Sequence, residues 1–528
     1  MKNKAILYCE NNEKIEILAQ FLIKSNWQIL SAGETARFLT SKNIPVTECP
    51  FLENSFLETT SFVKILKEIF VAGKTVYQYE ESDSISLVCT NFNVANKPVQ
   101  EMFDSYFCKK EIDLVRQSLL NVAIKNYKSV LVLTDPIDYN DAMLRLSTEN
   151  IKEDFRLYLV SKALNLSSAY SAAASDTIML CTKKHTFPNF FMLPYQFAKR
   201  LKHGINKQQI ASLYSINCFN SALNGLKKIQ GSEMSFNAII NVNTVCKTIS
   251  DFVHLIKFPF SVPSENFEGY PYTTQFSPMA GNVFTVGVKN STIISASLAP
   301  NVTESILKTY KCSPESFQHA VIGSSAVIDE EAAKIIKDLN IRTIVAPDFT
   351  KEAKEFLAEN KNLQMIIASN PTISNFETIS VDGGLLVQTT DSKLFEKWKI
   401  VTTKRPDQDQ IDEIAFGMML SLSSKSYSSI ILKNHATTGF ATGQTIPSKA
   451  VLYSLYDSKE FSNNNENNAE VLVCDSAINF DERLKCIADY GIKAIIQTGG
   501  TQSDEAFINY CNEKGICMVF TGIKHLTY

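Results

Sequence analysis

The sequence predicts an α/β protein whose amino-terminal part contains a parallel sheet. The first observation is a β-α-β pattern, in which the apolar run AILY precedes a helix with apolar residues at Ile15, Leu18 and Leu22, and WQILSAG follows it. The second observation is the return of strand-like runs at 85–90 and 129–135, with helical patterning over 111–125 between them. Strands that alternate with helices favour a parallel sheet covered by helices.

The same alternation continues through the rest of the chain. Residues 141–180 have mostly helical patterning, and helices are also predicted over 328–339 and 351–359. The predicted strands lie in two groups, which are FNAIINV, VHLIKF, NVFTVGV, TIISASL, AVIGSS and TIVAPD, then SSIILKN, EVLVCDS, KAIIQTGG and ICMVFTG. This repetition predicts two similar α/β halves. The polar stretch SNNNENNAE (462–470) predicts a surface loop.

Length and composition limit the class of protein. A chain of 528 residues is too long for one hydrophobic core, so several domains of about 100–200 residues are expected. A net charge of -3 gives no electrostatic reason to expect nucleic acid. The twelve cysteines form no CxxC pair, which favours free thiols in a reducing cytoplasm over a disulfide framework or zinc site. Neither a signal peptide nor an apolar run of about 18 residues is found, so we expect a cytoplasmic protein without a membrane segment.

Many ordered segments resemble one enzyme family. They are SAGETARFL (31–39), IPVTE (44–48), KNYKSVLVLTDPIDY (125–139), SSAYSAAAS (167–175), IVAPDF (344–349), GGLLVQ (383–388), WKIVT (398–402), TTGFATGQ (437–444) and the final residues 484–528. Together they resemble the bifunctional purine-biosynthesis enzymes that combine aminoimidazole-carboxamide ribonucleotide (AICAR) formyltransferase with inosine monophosphate (IMP) cyclohydrolase. The resemblance covers nearly the whole chain.

The resemblance implies a domain order, two substrates and an oligomer. It implies a cyclohydrolase-like, methylglyoxal-synthase-like domain over 1–190, followed over 191–528 by a transformylase-like region. That region would contain two cytidine-deaminase-like α/β subdomains with a boundary near residue 370. The implied reactions are formyl transfer from the cosubstrate 10-formyltetrahydrofolate to AICAR and ring closure to IMP, without a metal. The implied partners are a phosphorylated nucleotide, a folate and a second copy in a homodimer, with no nucleic acid and no membrane.

The family's lysine-histidine stretch, KHANPCG, matches KFPFSVP at 257–263, which retains Lys257 and replaces the histidine by Phe258. A phenyl ring cannot accept a proton, and proton transfer by a placed group contributes roughly 10²–10⁴-fold to a rate, so formyl transfer should be slow. The apolar pattern of 254–263 predicts a buried strand, in which His254 would leave the face opposite to Lys257. On such a strand Lys257 either contacts an anionic ligand or forms a structural ion pair.

At other positions of the transformylase-like region, this chain keeps residues that the family carries. KHGINKQQ at 202–209 matches the family's RYGENPHQ, and it keeps a positive charge at Lys202. The resemblance implies substrate binding by seven residues of this region, which are Lys202, Gly204, Asn206, Lys433, Asn434, Gln444 and Asp475. An arginine that the family carries after its GAGQ stretch is replaced by Pro447.

The cyclohydrolase part shows a similar mixture. Asp113 and Lys125 match the family's catalytic aspartate and lysine, so with Lys257 they form the predicted catalytic set. The predicted binding residues are Ser31, Gly33, Thr35, Lys64 and Asn91, although a solvated helix face explains Lys64 equally well. The family's GGP is replaced by VRQ (115–117), and these bulky side chains should narrow the backbone approach to a phosphate.

Two functions are therefore open. The first is a divergent enzyme that still carries out one or both steps, and ring closure is the easier to preserve because a positioned nucleotide gains from proximity. The second is a catalytically impaired homologue that acts as a nucleotide-binding regulatory or scaffold protein. The joint replacement of family residues by Phe62, Asn93, Phe258 and Pro447 favours the second function, and the length of the resemblance favours the first.

Overall fold

A computed structural model describes residues 3–52, 85–92, 113–182, 187–193, 195–215, 225–257, 281–368, 376–391, 393–461 and 469–527. The chain divides into two compact units. The first unit comprises Met1–Phe197 and Tyr214–Phe219, and the second comprises Ala198–Leu213 and Asn220–Tyr528. The first contains a parallel sheet and the second a large mixed sheet, so the predicted α/β class is observed. The domain boundaries at residue 190 and near residue 370 stay predictions.

The first unit is built on a five-stranded parallel sheet with the order β3-β2-β1-β4-β5. Its strands are β1 (Lys4–Leu7), β2 (Gln28–Ser31), β3 (Thr47–Glu48), β4 (Ile85–Cys89) and β5 (Leu131–Leu133). Strands β1 and β4 are almost entirely buried, as expected for strands covered on both faces. The direction in which strands are added reverses between β1 and β4, so a crevice opens at the carboxyl ends of these two strands.

In the residues that the structure describes, five helices cover this sheet. They are α1 (Ile15–Lys24), α2 (Gly33–Ser41), α3 (Leu114–Lys125), α4 (Tyr139–Ser147) and α5 (Glu153–Thr182). Helix α1 buries Ile15, Leu18 and Leu22, the residues whose spacing predicts it. The strands predicted at 85–90 and 129–135 are β4 and β5, and the patterning over 111–125 corresponds to α3.

The second unit is organised around a mixed sheet that has twelve strands in the described residues. Their order is β16-β21-β20-β19-β17-β18-β10-β9-β11-β12-β13-β8. The strands are β8 (Leu226–Gln230), β9 (Val283–Lys289), β10 (Thr292–Ala299), β11 (Val321–Ser324), β12 (Thr343–Ala346), β13 (Gln364–Ala368), β16 (Lys399–Ile400), β17 (Ser429–Lys433), β18 (Ala436–Ala441), β19 (Val471–Cys474), β20 (Ala494–Gln497) and β21 (Cys517–Phe520). Two hairpins stand outside it, formed by β6 (Gln196–Leu201) with β7 (Ala211–Ser215) and by β14 (Phe376–Val381) with β15 (Gly384–Thr389).

The order of elements in residues 226–368, here called half one, is repeated in residues 399–520, here called half two. Half one contains the helices α6 (Phe236–Lys257), α7 (Val302–Lys311), α8 (Glu330–Asp338) and α9 (Lys351–Leu357). In half two the corresponding helices are α10 (Gln408–Leu422), α11 (Pro447–Phe461), the 3₁₀ helix Glu482–Tyr490 and α12 (Asp504–Lys514). Each half therefore runs strand, helix, hairpin, helix, strand, helix, strand, helix, strand.

The two halves join through β10 and β18, which pair antiparallel with Ser297 opposite Ala436. Strand β10 runs in the direction of β11–β13, and β18 runs in the direction of β19–β21. The parallel strands of the two halves consequently point in opposite directions. The amino edge of half one and the carboxyl edge of half two lie on the same side of the sheet.

Two predicted strands are wrong. FNAIINV lies in α6, and so does VHLIKF as far as the described residues reach, because α6 extends from Phe236 to Lys257. Apolar side chains recur along this helix at intervals of three or four residues and enter the core, at Val242, Val245, Ile249 and Phe252. Each short apolar run resembles a buried strand, and the helical period appears only over the whole 22-residue helix.

The close packing of β18 against α11 can be tested at Gly439. A Cβ added there would lie 2.1 Å from the carbonyl oxygen of Ser454 and 3.0 Å from Cβ of Ser458, both in α11. We expect Gly439→Ala to lower the free energy of unfolding by about 1–3 kcal/mol, because α11 must shift. Gly384→Ala in β15 is the control, since its Cβ would meet only Val381 Cγ2, at 3.4 Å. Urea unfolding of both variants measures the difference, and equal stabilities would contradict this packing.

Candidate functional site

The crevice of the first unit is held together by buried hydroxyl groups. Thr35, in the first turn of α2, donates from Oγ1 to the carbonyl oxygen of Cys9 (2.7 Å) and accepts from the Cys9 N–H (3.0 Å). Ser31 donates from Oγ to the carbonyl oxygen of Leu7 (2.7 Å). Both side chains are fully buried. Their hydroxyl groups bond to backbone groups of the same chain, and these bonds hold β2 and α2 against β1.

Asn91 performs a similar role after β4. Its Oδ1 accepts from the N–H groups of Glu10 and Asn11, each at 2.9 Å, and its Nδ2 donates to the carbonyl oxygen of Asn11 (3.0 Å). The three bonds shape the loop after β1. The substrate-binding roles predicted for Ser31, Thr35 and Asn91 stay predictions.

At Gly33, the backbone N–H groups that begin α2 are the groups that could bind a ligand. Gly33 has a φ of 59°, a left-handed conformation that glycine adopts without a steric penalty, and it begins α2. The preceding Ala32 contributes no side-chain hydrogen bond to the helix. The first N–H groups of a helix have no partner within the helix, and together with the helix dipole they favour an anion. This end of α2 borders the crevice.

Asp113 and Lys125 lie at opposite ends of α3. Asp113 caps the helix by accepting from the Arg116 N–H (2.9 Å), and Lys125 is the last helical residue, about 18 Å farther along the axis. Lys125 is exposed and leads into β5, so it lies at the amino edge of the sheet. The structure does not bring these two predicted catalytic residues to one reacting group.

Arg116 is a crevice residue that sequence reasoning missed. Its guanidinium pairs with the Asp113 carboxylate and lies over the ring of Tyr8, 4.1 Å from the ring centroid. The Asp113 N–H donates to Tyr170 Oη at 2.6 Å. Arg116 Nε is buried and has no hydrogen-bond partner in the described part of the chain. An arginine three residues after a helix-capping aspartate is the signal that could have identified it.

In the second unit, the retained residues of 202–209 form a closed turn between β6 and β7. The Gly204 N–H donates to the Gln209 carbonyl oxygen (2.9 Å), and the Asn206 N–H donates to Gln209 Oε1 (2.9 Å). A Cβ at Gly204 would lie 2.9 Å from Cβ of Gln209, so the turn needs glycine there. Lys202 is exposed at the base of this turn.

Asp475 is the most chemically distinctive of the predicted binding residues. It follows β19 at the carboxyl edge of half two and is 1% exposed. Its Oδ2 accepts from Ser426 Oγ (2.8 Å) and from the N–H and Oγ of Ser428 (2.8 and 3.0 Å). Its Oδ1 is buried without a hydrogen bond from any described residue, and burial raises the pKa of this carboxyl group. Gln444 is nearby, because its backbone exchanges two hydrogen bonds with Tyr427.

Lys433 and Asn434 lie at the other end of β17. Asn434 and His435 both have left-handed backbone conformations and form the two-residue turn between β17 and β18. Strand β17 separates Lys433 from Ser428 by roughly 17 Å. Within one chain, the structure therefore does not bring Asn434 to Asp475.

A pair of buried acidic residues in α10 was also missed by sequence reasoning. Glu413 accepts from the His435 N–H (2.5 Å), and its Oε1 lies 3.2 Å from His435 Nδ1. This carboxylate stabilises the imidazolium and raises the pKa of His435. Burial raises the pKa of the neighbouring Asp412 to about 6. The signal was present as two adjacent acidic residues in the otherwise apolar run DEIAFGMML.

Two predicted residues, Lys64 and Lys257, lie beyond or at the limit of the described ranges. Lys64 lies outside the described residues, as do Phe258 and the rest of the segment after Lys257, whose backbone ends α6. In the part of the chain that the structure describes, no group of three His, Cys, Asp or Glu residues is arranged to hold a metal ion. No described helix has the length and apolar character needed to cross a membrane.

Comparison with known proteins identifies the family. A family model described as the AICARFT/IMPCHase bienzyme matches residues 123–451, which is more than half of the chain. The chain belongs to the AICARFT/IMPCHase bienzyme family. This confirms the resemblance found in the sequence, and the family is one of formyltransferase and cyclohydrolase enzymes.

Curated relatives named bifunctional purine biosynthesis protein PurH are similar along the whole chain. The relative from Clostridium kluyveri is 28% identical over 539 residues, that from Petrotoga mobilis 28% over 544, and that from Brachyspira hyodysenteriae 29% over 541. Each comparison covers 100% of both chains. A solved chain described as the crystal structure of ForH covers 34% of this chain at 24% identity, but its TM-score of 0.29 is too low to bear on the fold.

The buried hydroxyl of Thr35 can be tested directly. We expect Thr35→Val to lower the free energy of unfolding by about 1–3 kcal/mol, because two backbone groups of Cys9 lose their partner while the side-chain volume is kept. Thr40→Val, an exposed position of the same helix, is the matched control. Urea unfolding measures both, and an unchanged Thr35→Val protein would show that this link does not stabilise the crevice.

The buried acid Asp412 predicts a pH dependence. Its pKa of about 6 lies above the usual value near 3.9 of an unfolded chain, so the native state binds this proton more tightly. Its contribution to stability is therefore present at low pH and is lost as pH rises through about 6. We expect Asp412→Asn to gain stability relative to the unaltered protein between pH 4 and pH 7. The exposed Asp409→Asn is the control, and a pH-independent difference for Asp412→Asn would contradict the assignment.

Proposed function

We propose that this chain acts in purine biosynthesis by transferring the formyl group of 10-formyltetrahydrofolate to AICAR and closing the ring to IMP. The observation that carries the proposal is the similarity to bifunctional PurH proteins over 100% of both chains, together with the family match. Proton transfer in the formyl step is weakened, because Phe258 stands where the family has histidine.

For ring closure, the proposed site is the crevice of the first unit. The N–H groups at Gly33 bind the nucleotide phosphate, while Ser31, Thr35 and Asn91 hold the loops around it. Lys64 adds positive charge in this proposal. Cyclisation of a nucleotide held in one conformation gains from proximity, so it needs fewer proton-transferring groups than formyl transfer does.

For formyl transfer, the proposed residues come from both edges of the second unit. Asp475 and Gln444 lie at the carboxyl edge of half two, whereas Lys433 and Asn434 lie at the opposite edge. One chain cannot place these two pairs on one small ligand. We therefore propose a homodimer in which each formyl-transfer site takes residues from both copies. Lys257 and the turn that carries Lys202, Gly204 and Asn206 also belong to this site.

The second candidate function is a catalytically impaired homologue that binds nucleotide as a regulatory or scaffold protein. The observation that favours it is the engagement of Asp113, which caps α3 and pairs with Arg116. Both carboxylate oxygens of Asp113 are thus engaged by Arg116. Lys125 is too far along α3 to act on the same reacting atom.

A two-step turnover assay separates the candidates. Purified protein is given AICAR and 10-formyltetrahydrofolate, and both formylated intermediate and IMP are quantified. We expect turnover below about 1 s⁻¹, the lower limit of ordinary enzymes, with ring closure of supplied intermediate faster than formyl transfer. Nucleotide binding without any product would favour the impaired homologue. A formyl-transfer rate in the ordinary range would refute the role assigned to Phe258.

Restoring the missing histidine provides a direct test of that role. We expect Phe258→His to raise the formyl-transfer rate at least tenfold and to leave ring closure unchanged, because a positioned imidazole accepts the amine proton. Phe260→His, two residues later, is the matched control for adding an imidazole to this segment. If both variants behave like the unaltered protein, the loss of histidine is not what limits the rate.

A further inference from the structure

His525 is a buried histidine whose two ring nitrogens both face hydrogen-bond acceptors. The residue is 1% exposed. Nδ1 lies 2.7 Å from Oδ2 of Asp391, just after β15, and Nε2 lies 3.1 Å from the carbonyl oxygen of Leu394. Neither a carbonyl oxygen nor an ionised carboxylate can donate a hydrogen bond. Both ring nitrogens therefore carry a proton when both hydrogen bonds are made.

A neutral imidazole does not satisfy this geometry. It has one N–H, so its other nitrogen would present a lone pair to the carboxylate of Asp391 or to the carbonyl oxygen of Leu394. The Asp391 side chain is 43% exposed, so water helps to solvate its negative charge. The contact at 2.7 Å is consequently a charge-assisted hydrogen bond between an imidazolium and a carboxylate.

The backbone of His525 fixes residues 523–527, here called the tail. The His525 N–H donates to the carbonyl oxygen of Asp475 (3.0 Å), and the His525 carbonyl oxygen accepts from Ser426 Oγ (3.1 Å). Thr527 and Ser426 add two more bonds, from the Ser426 N–H to the Thr527 carbonyl oxygen (2.9 Å) and from the Thr527 N–H to Ser426 Oγ (3.1 Å). Ser426 Oγ also contacts Asp475 Oδ2 at 2.8 Å. The tail is thus bound directly to the segments that carry Asp475 and Ser426.

Among the residues that the structure describes, Asp391 is the acid in contact with the ring. The other charged groups close to Asp391 or to the tail belong to α6, β14, the segment after Asp391 and the tail itself, and they are Lys247, Asp251, Glu377, Lys397 and Lys524. Burial raises the pKa of Asp251 to about 6, and this carboxyl group interacts with Asp391. Its ionisation adds negative charge near an imidazolium, so it cannot by itself weaken the link at His525 as pH rises.

We propose that His525 is a positioning residue that holds the tail against Asp475 while its ring is doubly protonated and releases the tail when the ring loses a proton. Loss of one proton replaces a hydrogen bond to Asp391 or Leu394 by a contact between two lone pairs in a buried place, which is costly. Histidine is the side chain that ordinarily titrates between about pH 5 and 8. The tail is therefore closed at low pH and opens as pH rises.

This inference goes beyond the proposed function, because tail opening requires neither of the two reactions. One consequence does rest on the proposed function, namely that a ligand held by Asp475 binds less tightly at high pH. Tail opening and ring protonation are both measured without substrate, so their outcome is separate from the outcome of the turnover assay.

The variant Asp391→Asn distinguishes this link from a simple ion pair. The asparagine amide can donate from Nδ2 to an unprotonated Nδ1 of His525, while the Nε2–H still donates to the carbonyl oxygen of Leu394. A neutral ring then makes both hydrogen bonds, so the tail of this variant should stay closed at every pH tested. Loss of a simple ion pair would instead open the tail.

Carboxypeptidase digestion of the full-length protein measures tail opening, because the cleavage rate follows the population of the open form. Mass spectrometry gives the rate at which the last four residues are lost, and this rate is divided at each pH by that of a free peptide ending in KHLTY. For the unaltered protein we expect the ratio to rise about tenfold or more between pH 6 and about pH 9, since a charge-assisted hydrogen bond is lost.

Three variants accompany this measurement. Asp391→Asn should show no rise, and His525→Ala should be cleaved faster than the unaltered protein at pH 6, with no further rise. His435→Gln is the matched control, because His435 also faces a carboxylate, that of Glu413, but lies at the far end of β17, and it should keep the rise. Circular dichroism of each variant verifies that it is folded before digestion.

Nitrogen NMR of protein labelled in its six histidines reports the protonation of the ring directly. The signals that disappear in His525→Ala assign this residue. At pH 6 we expect two protonated ring nitrogens in the unaltered protein and one in Asp391→Asn. A neutral ring in the unaltered protein at pH 6 would overturn the proposal. A pH-independent cleavage ratio of the unaltered protein, or a rise that persists in Asp391→Asn, would overturn it as well.

Discussion

The antiparallel seam between β10 and β18 sets the arrangement of the second unit. It is held by Ser297 opposite Ala436, by the Leu298 N–H donating to the His435 carbonyl oxygen (2.8 Å), and by Thr437 Oγ1, which accepts from the Ala296 N–H (3.0 Å). A parallel seam would place the carboxyl edges of both halves on one side of the sheet. The antiparallel seam instead places Asp475 on the same side of the sheet as the amino edge of half one and puts the turn at Asn434 on the far side.

Retained residues in both units largely serve the architecture of the loops. Thr35 and Asn91 use their polar atoms on the backbone after β1, and Gly204 and Asn206 close a turn through Gln209. Burying a polar side chain is costly unless its hydrogen bonds are made, so the buried side chains of Thr35 and Asn91 are restricted to few alternatives. Such residues can persist because the backbone needs them, whether or not a ligand still does. Their retention alone is weak support for catalysis.

The elements that sequence patterning predicts well are those whose signal is local. Strands β4, β5, β17 and β19–β21 and helix α1 have short, clean patterns, whereas α6 is apolar on several sides and its fragments look like strands. The family resemblance assigned catalytic roles to Asp113 and Lys125, and those roles stay predictions. The helical patterning over 111–125 already implied that Asp113 and Lys125 lie near opposite ends of one helix. The contacts of Arg116 with the ring of Tyr8 and of the Asp113 N–H with Tyr170 could not be predicted, because they depend on tertiary structure.

Asn241 and Glu413 occupy equivalent positions of the two halves, because each is the sixth residue of its helix and accepts the N–H of a turn residue, and they differ in charge. Asn241 holds the turn at Ser291 with an uncharged amide, so the hydrogen bond that positions this turn does not require a carboxylate. Glu413 therefore brings a buried negative charge that the turn itself does not need, at the desolvation cost that any buried carboxylate carries. Its local benefit is electrostatic, because it stabilises the protonated form of His435. Half one has neither the acid nor the histidine at these positions, which Asn241 and Ser291 occupy.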